Sequence, residues 1–270
     1  MRLSLCILFV LATVLPSGSA LAGPLEDGIA AYQRKDYETA LPYFRLLAAE
    51  GDATAQFSLG VFYYYGLALK KDLAEAANWY GQSAAQGNAQ AQYSLAGMYE
   101  DGVGVAKDRA RALKLYQQAA AQGNAGAQYN VGLAYDGGKG VAQDHAQAAK
   151  WYRLAAEQGH GEAQFNLGRS YSKGEGVATD HAEAIKWYRL AAAQGDADAR
   201  QNIAMMYYTG RGVAKDKSRA FMWFTLAAEA GGENGAKASQ TLAKEMTLNQ
   251  IAAAQALAKA CKERKFKGCD

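Results

Sequence analysis

The chain is predicted to be all-α, a stack of helix-turn-helix repeats, and three observations carry that prediction. The first is a period of 36 residues. Gly51, Gly87, Gly123, Gly159, Gly195 and Gly231 share it, as do Asp72, Asp108, Asp144, Asp180 and Asp216, and Tyr63, Tyr99, Tyr135, Tyr171 and Tyr207. The second is the heptapeptide KWYRLAA, written at 150–156 and again at 186–192. The third is that each period contains two stretches with apolar residues at helical spacing, parted by a glycine pair. A unit of two helices cannot bury such a face alone, so units must stack, and equal places in a stack need equal contacts.

The elements follow in chain order. Residues 1–22 have the layout of a secretory signal peptide: Arg2, an apolar run over 3–15, then Pro16 to Gly18, and Ala20-Leu21-Ala22 before a cut at Gly23. The apolar run is short for a spanning helix, which needs about 20 residues. Residues 25–51 form an N-terminal capping unit, with Pro42 expected to bend its second helix or cost it a hydrogen bond. Five units fill 52–231, at 52–87, 88–123, 124–159, 160–195 and 196–231.

In the unit 88–123, Asn88 caps a first helix whose inner face carries Ala91, Leu95, Met98 and Tyr99. Gly102 and Gly104 end it. Asp108 caps the second helix, which turns Ala112, Leu115, Tyr116, Ala119 and Ala120 inward. Trp79, Trp151, Trp187 and Trp223 share one phase, with Leu115 in the gap, and are expected to fill the space between units. Residues 232–270 supply two closing helices, over 236–246 and 247–265, and a tail. Thr247 and Gln250 there make a capping box.

The segment AQFNLGRSYSKGEGVATDHAEAIKWYRLAAAQG (163–195) resembles the Sel1-like repeat of the tetratricopeptide superfamily. The pattern covers 52–231. It departs at Leu115 in place of Trp, at 66–69 in place of the glycine loop, and at Gln201 in place of an aromatic. Residues 31–51 look like a shorter tetratricopeptide-type unit. The resemblance implies a right-handed α-α solenoid with a concave surface. It also implies an adaptor that binds other proteins, and for exported bacterial members a place in the cell envelope.

A ladder at one phase of the first helices, Ser58, Ser94, Asn130, Asn166 and Asn202, is the leading groove candidate. In related repeats an Asn near this place holds a ligand's backbone, since its amide both donates and accepts. The other reading is that these residues bridge neighbouring units. Phe62, in VFYYYGL, is placed beside them as an apolar anchor, with core packing as its alternative. Arg169 would meet an acidic partner, or only solvent.

Cys261 and Cys269 suggest one disulfide in an oxidising compartment. Two free thiols or half a metal site remain as alternatives, although seven intervening residues with no nearby His is poor zinc spacing. No metal and no cofactor is expected. His145 and His181 follow their capping Asp residues in a helix's first turn.

A formal net charge of +3 gives no electrostatic case for nucleic acid. The resemblance implies a protein or peptide partner, and the signal-peptide layout of residues 1–22 leads to the expectation that it is met in the periplasm or outside the cell. The competing class is a β-lactam-interacting or peptidoglycan-active enzyme, as claimed for a cysteine-rich branch of the family. Ser170-Tyr171-Ser172-Lys173 satisfies S-x-x-K, but the companion S-D-N and K-T-G elements are missing.

Overall fold

The structure, a computed structural model, describes residues 23–266, 268 and 269; the signal-peptide segment 1–22 lies outside them. All fourteen described elements are helices, and they pack chiefly on neighbours in sequence, except that the last, Leu248–Glu263, packs on Lys217–Glu229 two elements before it. Together with the repeat period, this is an all-α repeat solenoid. The chain divides into two compact units, Met1–Asn124 and Ala125–Asp270. The first unit contains α1 (Pro24–Gln33), α2 (Tyr37–Ala49), α3 (Ala53–Tyr65), α4 (Leu73–Ala85), α5 (Ala89–Asp101) and α6 (Arg109–Ala121). The second contains α7 (Ala125–Gly137), α8 (His145–Glu157), α9 (Gly161–Lys173), α10 (His181–Ala193), α11 (Ala197–Thr209), α12 (Lys217–Glu229), α13 (Glu233–Ala243) and α14 (Leu248–Glu263).

Local chemistry sets the boundaries. The carboxylates of Asp72, Asp108, Asp144, Asp180 and Asp216 accept backbone N–H bonds at the starts of the second helices. Asp36 does the same for α2, which places that helix in register with the later ones. Asp52, Asn88, His160 and Asp196 cap first helices. Gly66, Gly102, Gly174 and Gly210 close first helices in the left-handed conformation that glycine adopts without a Cβ penalty. The α2 helix runs through Pro42, whose ring is exposed, so its missing N–H falls on the solvent side.

The core between paired helices is aromatic against small. Tyr80, Tyr116, Tyr152 and Tyr188 are buried, in tilted contact with Phe57, Tyr93, Tyr129 and Phe165 respectively. The Tyr80 ring lies so close to Gly60 that an added Cβ would stand 2.6 Å from it. The four Trp residues do not share one environment. Trp79, Trp151 and Trp187 are half-buried, while Trp223 is 1 % exposed. Its cluster includes Leu242, Ala254, Ala258 and Cys261 from the closing helices. These helices begin at 233 and 248 rather than at 236 and 247, and the capping box of Thr247 and Gln250 forms.

Amide side chains link successive helix pairs. In the first unit, buried Gln56 and Gln92 donate to the carbonyls of Ala48 and Ala84, at 3.3 and 3.2 Å. Gln86 and Gln122 then donate to their side-chain oxygens at 2.7 and 2.9 Å. In the second unit Gln164 donates across to the Ala156 carbonyl at 3.1 Å, while Gln158 donates to Gln128 and Gln194 to Gln164 within their pairs, at 2.7 and 2.8 Å.

The last repeat replaces both partners: Ala230 stands at the phase of Gln194, and Arg200 at that of Gln164. The buried guanidinium of Arg200 spans the gap itself, donating to the carbonyls of Ala192 and Leu226 at 3.0–3.1 Å. Arg200→Ala is expected to cost about 1.5–3 kcal/mol, the range for hydrogen bonds involving a charged group. The pair Arg200→Gln with Ala230→Gln should recover most of it in a urea titration. A recovery no better than Arg200→Gln alone would show that the two positions are not coupled.

Candidate functional site

The Ser/Asn ladder does not present a uniform polar surface. Ser58 and Ser94 are buried, and the Ser58 hydroxyl donates to the Thr54 carbonyl of its own helix at 2.8 Å. Asn166 is 7 % exposed, and its amide is hydrogen-bonded to the Tyr129 hydroxyl of the preceding repeat, so it bridges repeats. Asn130 and Asn202 are half-buried and make no side-chain hydrogen bond among the described residues. They are the two ladder positions open to a ligand.

Phe62 corrects the expectation placed on it. It is 0 % exposed, packed against Tyr32, Tyr37 and Phe44, because α1 and α2 cover the helix that carries it. It holds the N-terminal pair to the array and is not available as an anchor.

Arg169 is half-buried and already committed. Its guanidinium pairs with Asp136 at 2.5 Å and approaches Glu175 at 3.8 Å. Asp136 also meets His145 Nδ1 at 2.8 Å and accepts from the Tyr152 hydroxyl at 3.3 Å. Burial tends to raise the Asp136 pKa. The hydrogen bond to His145 and the charge and hydrogen bond of Arg169 outweigh it, and the carboxyl is held below its usual range.

The repeat gives that cluster a template. In three repeats the residue 16 before the buried Tyr meets its hydroxyl: besides Asp136 and Tyr152, Glu100 accepts from Tyr116 at 3.0 Å, and Ser172 is bonded to Tyr188. Burial pushes the Tyr188 hydroxyl up to about 12. At these positions the polar groups tie the first helix to the second.

A depressed carboxylate stabilises the fold above its unfolded pKa, near 4, and loses that contribution as pH falls through the folded value. Asp136→Asn should therefore lower the urea midpoint at pH 7, and the gap to wild type should narrow as pH drops below about 4. A gap that persists unchanged to acid pH would assign the effect to shape rather than charge.

Ser170 of the S-x-x-K sequence is 4 % exposed, inside α9, while Lys173 is exposed and lies 3.6 Å from Glu175. His160 caps α9 with a long 3.4 Å bond to Ala163 N–H and stacks on Tyr129 at 4.6 Å between ring centroids. No cluster of three or more His, Cys, Asp or Glu side chains that would hold a metal occurs among the described residues. Among the same residues no helix is long and apolar enough to cross a membrane.

An open recess lies in the first unit, across α4 and α6 with α5 at its floor. It is a cleft of about 750 Å³. Ala77, Gly81, Leu95, Tyr99 and Leu115 make its apolar part, Asn78, Gln82 and Gln118 line its walls, and Arg111 and Lys114 stand on one side. Sequence reading passed over this place, although it had noted the departure at Leu115. A second recess of about 270 Å³ lies among α11, α12 and α13, lined by Met205, Tyr208, Phe224 and Leu242, with Glu245 and Lys237 among its polar lining.

Comparison with known proteins gives a consistent picture. The family model described as the Sel1 repeat matches residues 20–52, 53–88, 89–124, 125–160, 161–196 and 197–232. The first match takes in α1 and α2, in keeping with the register that Asp36 gives α2. The chain is similar to a Sel1 repeat protein from Oxalobacter formigenes, at 33 % identity over 81 % of this chain and 87 % of that one, with a TM-score of 0.74. It also resembles c5321, a protective antigen of uropathogenic Escherichia coli strains with an SLR fold, at 26 % identity, 91 % and 69 % coverage and a TM-score of 0.44. The immunity protein PA5088 from Pseudomonas aeruginosa follows at 20 % identity, 81 % and 85 % coverage and a TM-score of 0.47. No curated protein matches the chain.

Proposed function

The chain belongs to the Sel1 repeat family, whose members are generally protein-interaction scaffolds, and on that premise we propose that it is an exported scaffold that holds a protein or peptide in the bacterial cell envelope. The observation that supports binding over chemistry is how the polar groups are spent. The buried amides, the Tyr hydroxyls and Asp136 are used to join helices. The cleft across α4 and α6 instead leaves Arg111 and Lys114 exposed beside apolar surface. Solvent-facing cations beside an apolar floor suit recognition of a partner, whereas a nucleophile with its base is what chemistry would need.

Export is supported by the character of residues 1–22 and by the bond between Cys261 and Cys269, which closes the tail at the end of α14. The test is affinity capture from envelope extract with the full chain as bait, together with fractionation of the cells that make it. Recovery of a discrete protein partner from the envelope fraction is the expected result. Retention of the chain in the cytoplasm, with both thiols titrating freely, would overturn the envelope assignment. A chain that captures nothing would overturn the scaffold reading.

A further inference from the structure

The cleft across α4 and α6 lies where two repeat positions have lost their large side chains together. Position 115 is Leu, where the same phase is Trp79, Trp151, Trp187 and Trp223. Position 81 is Gly, where the same phase carries Arg45, Arg153 and Arg189, with Gln117 and Thr225 in the remaining repeats. In the second unit those larger residues are in use: Arg153 and Arg189 donate to the hydroxyls of Tyr171 and Tyr207, and Trp187 packs on the preceding repeat. In the first unit the Tyr at that phase, Tyr99, is covered instead by the Arg111 guanidinium, 4.8 Å from its ring centre. Gly81 is not required by its surroundings. Its φ is not positive, and an added Cβ would find nothing within 4 Å. A glycine in mid-helix weakens the helix, and here it leaves open space.

The charges change at the same place. In the repeat 160–195 Lys186 is paired with Glu183 one turn earlier. The equivalent pair in the cleft is Arg111 and Lys114, two cations. No carboxylate lines the cleft, and neither side chain has an ion-pair partner among the described residues.

We propose that this cleft is the partner site of the scaffold, and that it takes a peptide segment presenting an aromatic side chain flanked by carboxylates. This rests on the reading of the chain as a protein-binding scaffold. The ring occupies the space that an indole fills in other repeats, against Leu95, Tyr99 and Leu115. The carboxylates meet Arg111 and Lys114. The Gln118 amide is placed to bond the segment's backbone, and the amides of Asn78 and Gln82, held to each other only by a long 3.5 Å bond, can exchange it for the segment. Charge complementarity selects the acidic segment, and the vacated volume selects the aromatic anchor.

The test installs the residues that other repeats of this chain carry at these positions. The double variant Gly81→Arg with Leu115→Trp fills the cleft with side chains that other repeats already carry, so it is expected to keep or raise the thermal midpoint. The probe is the fluorescein-labelled peptide GDWEDG, titrated against the full chain by anisotropy, with GKWKKG and GDAEDG beside it. Wild type is expected to bind GDWEDG saturably and the other two at least tenfold more weakly. The filled variant should lose at least tenfold, even though it adds a cation that would favour an acidic peptide if charge alone mattered. Arg111→Glu with Lys114→Glu should reverse the preference toward GKWKKG.

Equal binding of GDWEDG by wild type and the filled variant would overturn the proposal, as would equal binding of all three peptides or none. Capture from envelope extract separates the two levels. A partner held equally by wild type and the filled variant leaves the scaffold standing and removes this cleft from it, while no partner with either removes both.

Discussion

Trp223→Ala is expected to cost about 3–5 kcal/mol, the range for deleting a fully buried large aromatic side chain. Trp187→Ala, at the same phase one repeat earlier, should cost clearly less, because that ring is only partly buried. The difference arises at the end of the stack. Trp223 shares its cluster with Leu242, Ala254, Ala258 and Cys261, so removing it leaves a cavity walled by two repeats and the closing helices. Its indole N–H is buried without a partner. Trp223→Phe removes that unsatisfied donor and keeps most of the ring, so it should recover most of the loss. Chemical denaturation followed by circular dichroism measures all three. Equal losses for Trp187→Ala and Trp223→Ala would show that α13 and α14 do not cover the second residue in solution.

Gly176→Ala is expected to be at least as damaging. Its φ of +76° lies in the left-handed region, which costs a side-chain-bearing residue roughly 1–2 kcal/mol. The added methyl would also press into the carbonyl of His145, at the start of α8 in the preceding repeat. That neighbour is backbone inside a helix and cannot rotate away. Gly212 meets His181 in the same manner, with a built Cβ 2.6 Å from the carbonyl. The expected result for Gly176→Ala is a loss of about 3 kcal/mol or more, steric strain added to the conformational term. Gly159→Ala serves as the control, since its φ is +90° but its Cβ would meet nothing within 4 Å. A similar loss for both would mean that the left-handed conformation accounts for the whole effect and the contact between repeats for none of it.

The two variants probe different kinds of information in the chain. The caps, the glycine turns and the helix lengths were legible because each depends on residues within four or five positions of itself. Asp144 starts α8 and Gly174 stops α9 through bonds made to their own helices. The 36-residue spacing then repeats that local grammar, and even α2, assigned to a capping unit, shows it through Asp36 and Ala40.

The candidate site was far less legible. Met98 lies on the inner face as expected, whereas Phe62 at the same phase, expected to be an anchor, is core, because α1 and α2 lie across it. The ladder of Ser58, Ser94, Asn130, Asn166 and Asn202 is uniform in sequence and uneven in space. One member bonds its own helix, one bridges to Tyr129, and two remain open. The Gln pairs were visible as periodic letters, but their meaning needed the contact between residues 30 apart.

The sequence by itself determined that this protein is a chain of helix pairs of fixed length, stacked in a fixed register, because helix starts, stops and inward faces are set by neighbours along the backbone. Only the tertiary structure decided which equal positions are unequal. It distinguished Trp223 from Trp187, gave Arg200 the place of two glutamines, and brought Gly81 to the same cleft as Leu115. Those outcomes depend on side chains one repeat apart in sequence, and whether a missing side chain leaves a cleft depends on the residues packed around it.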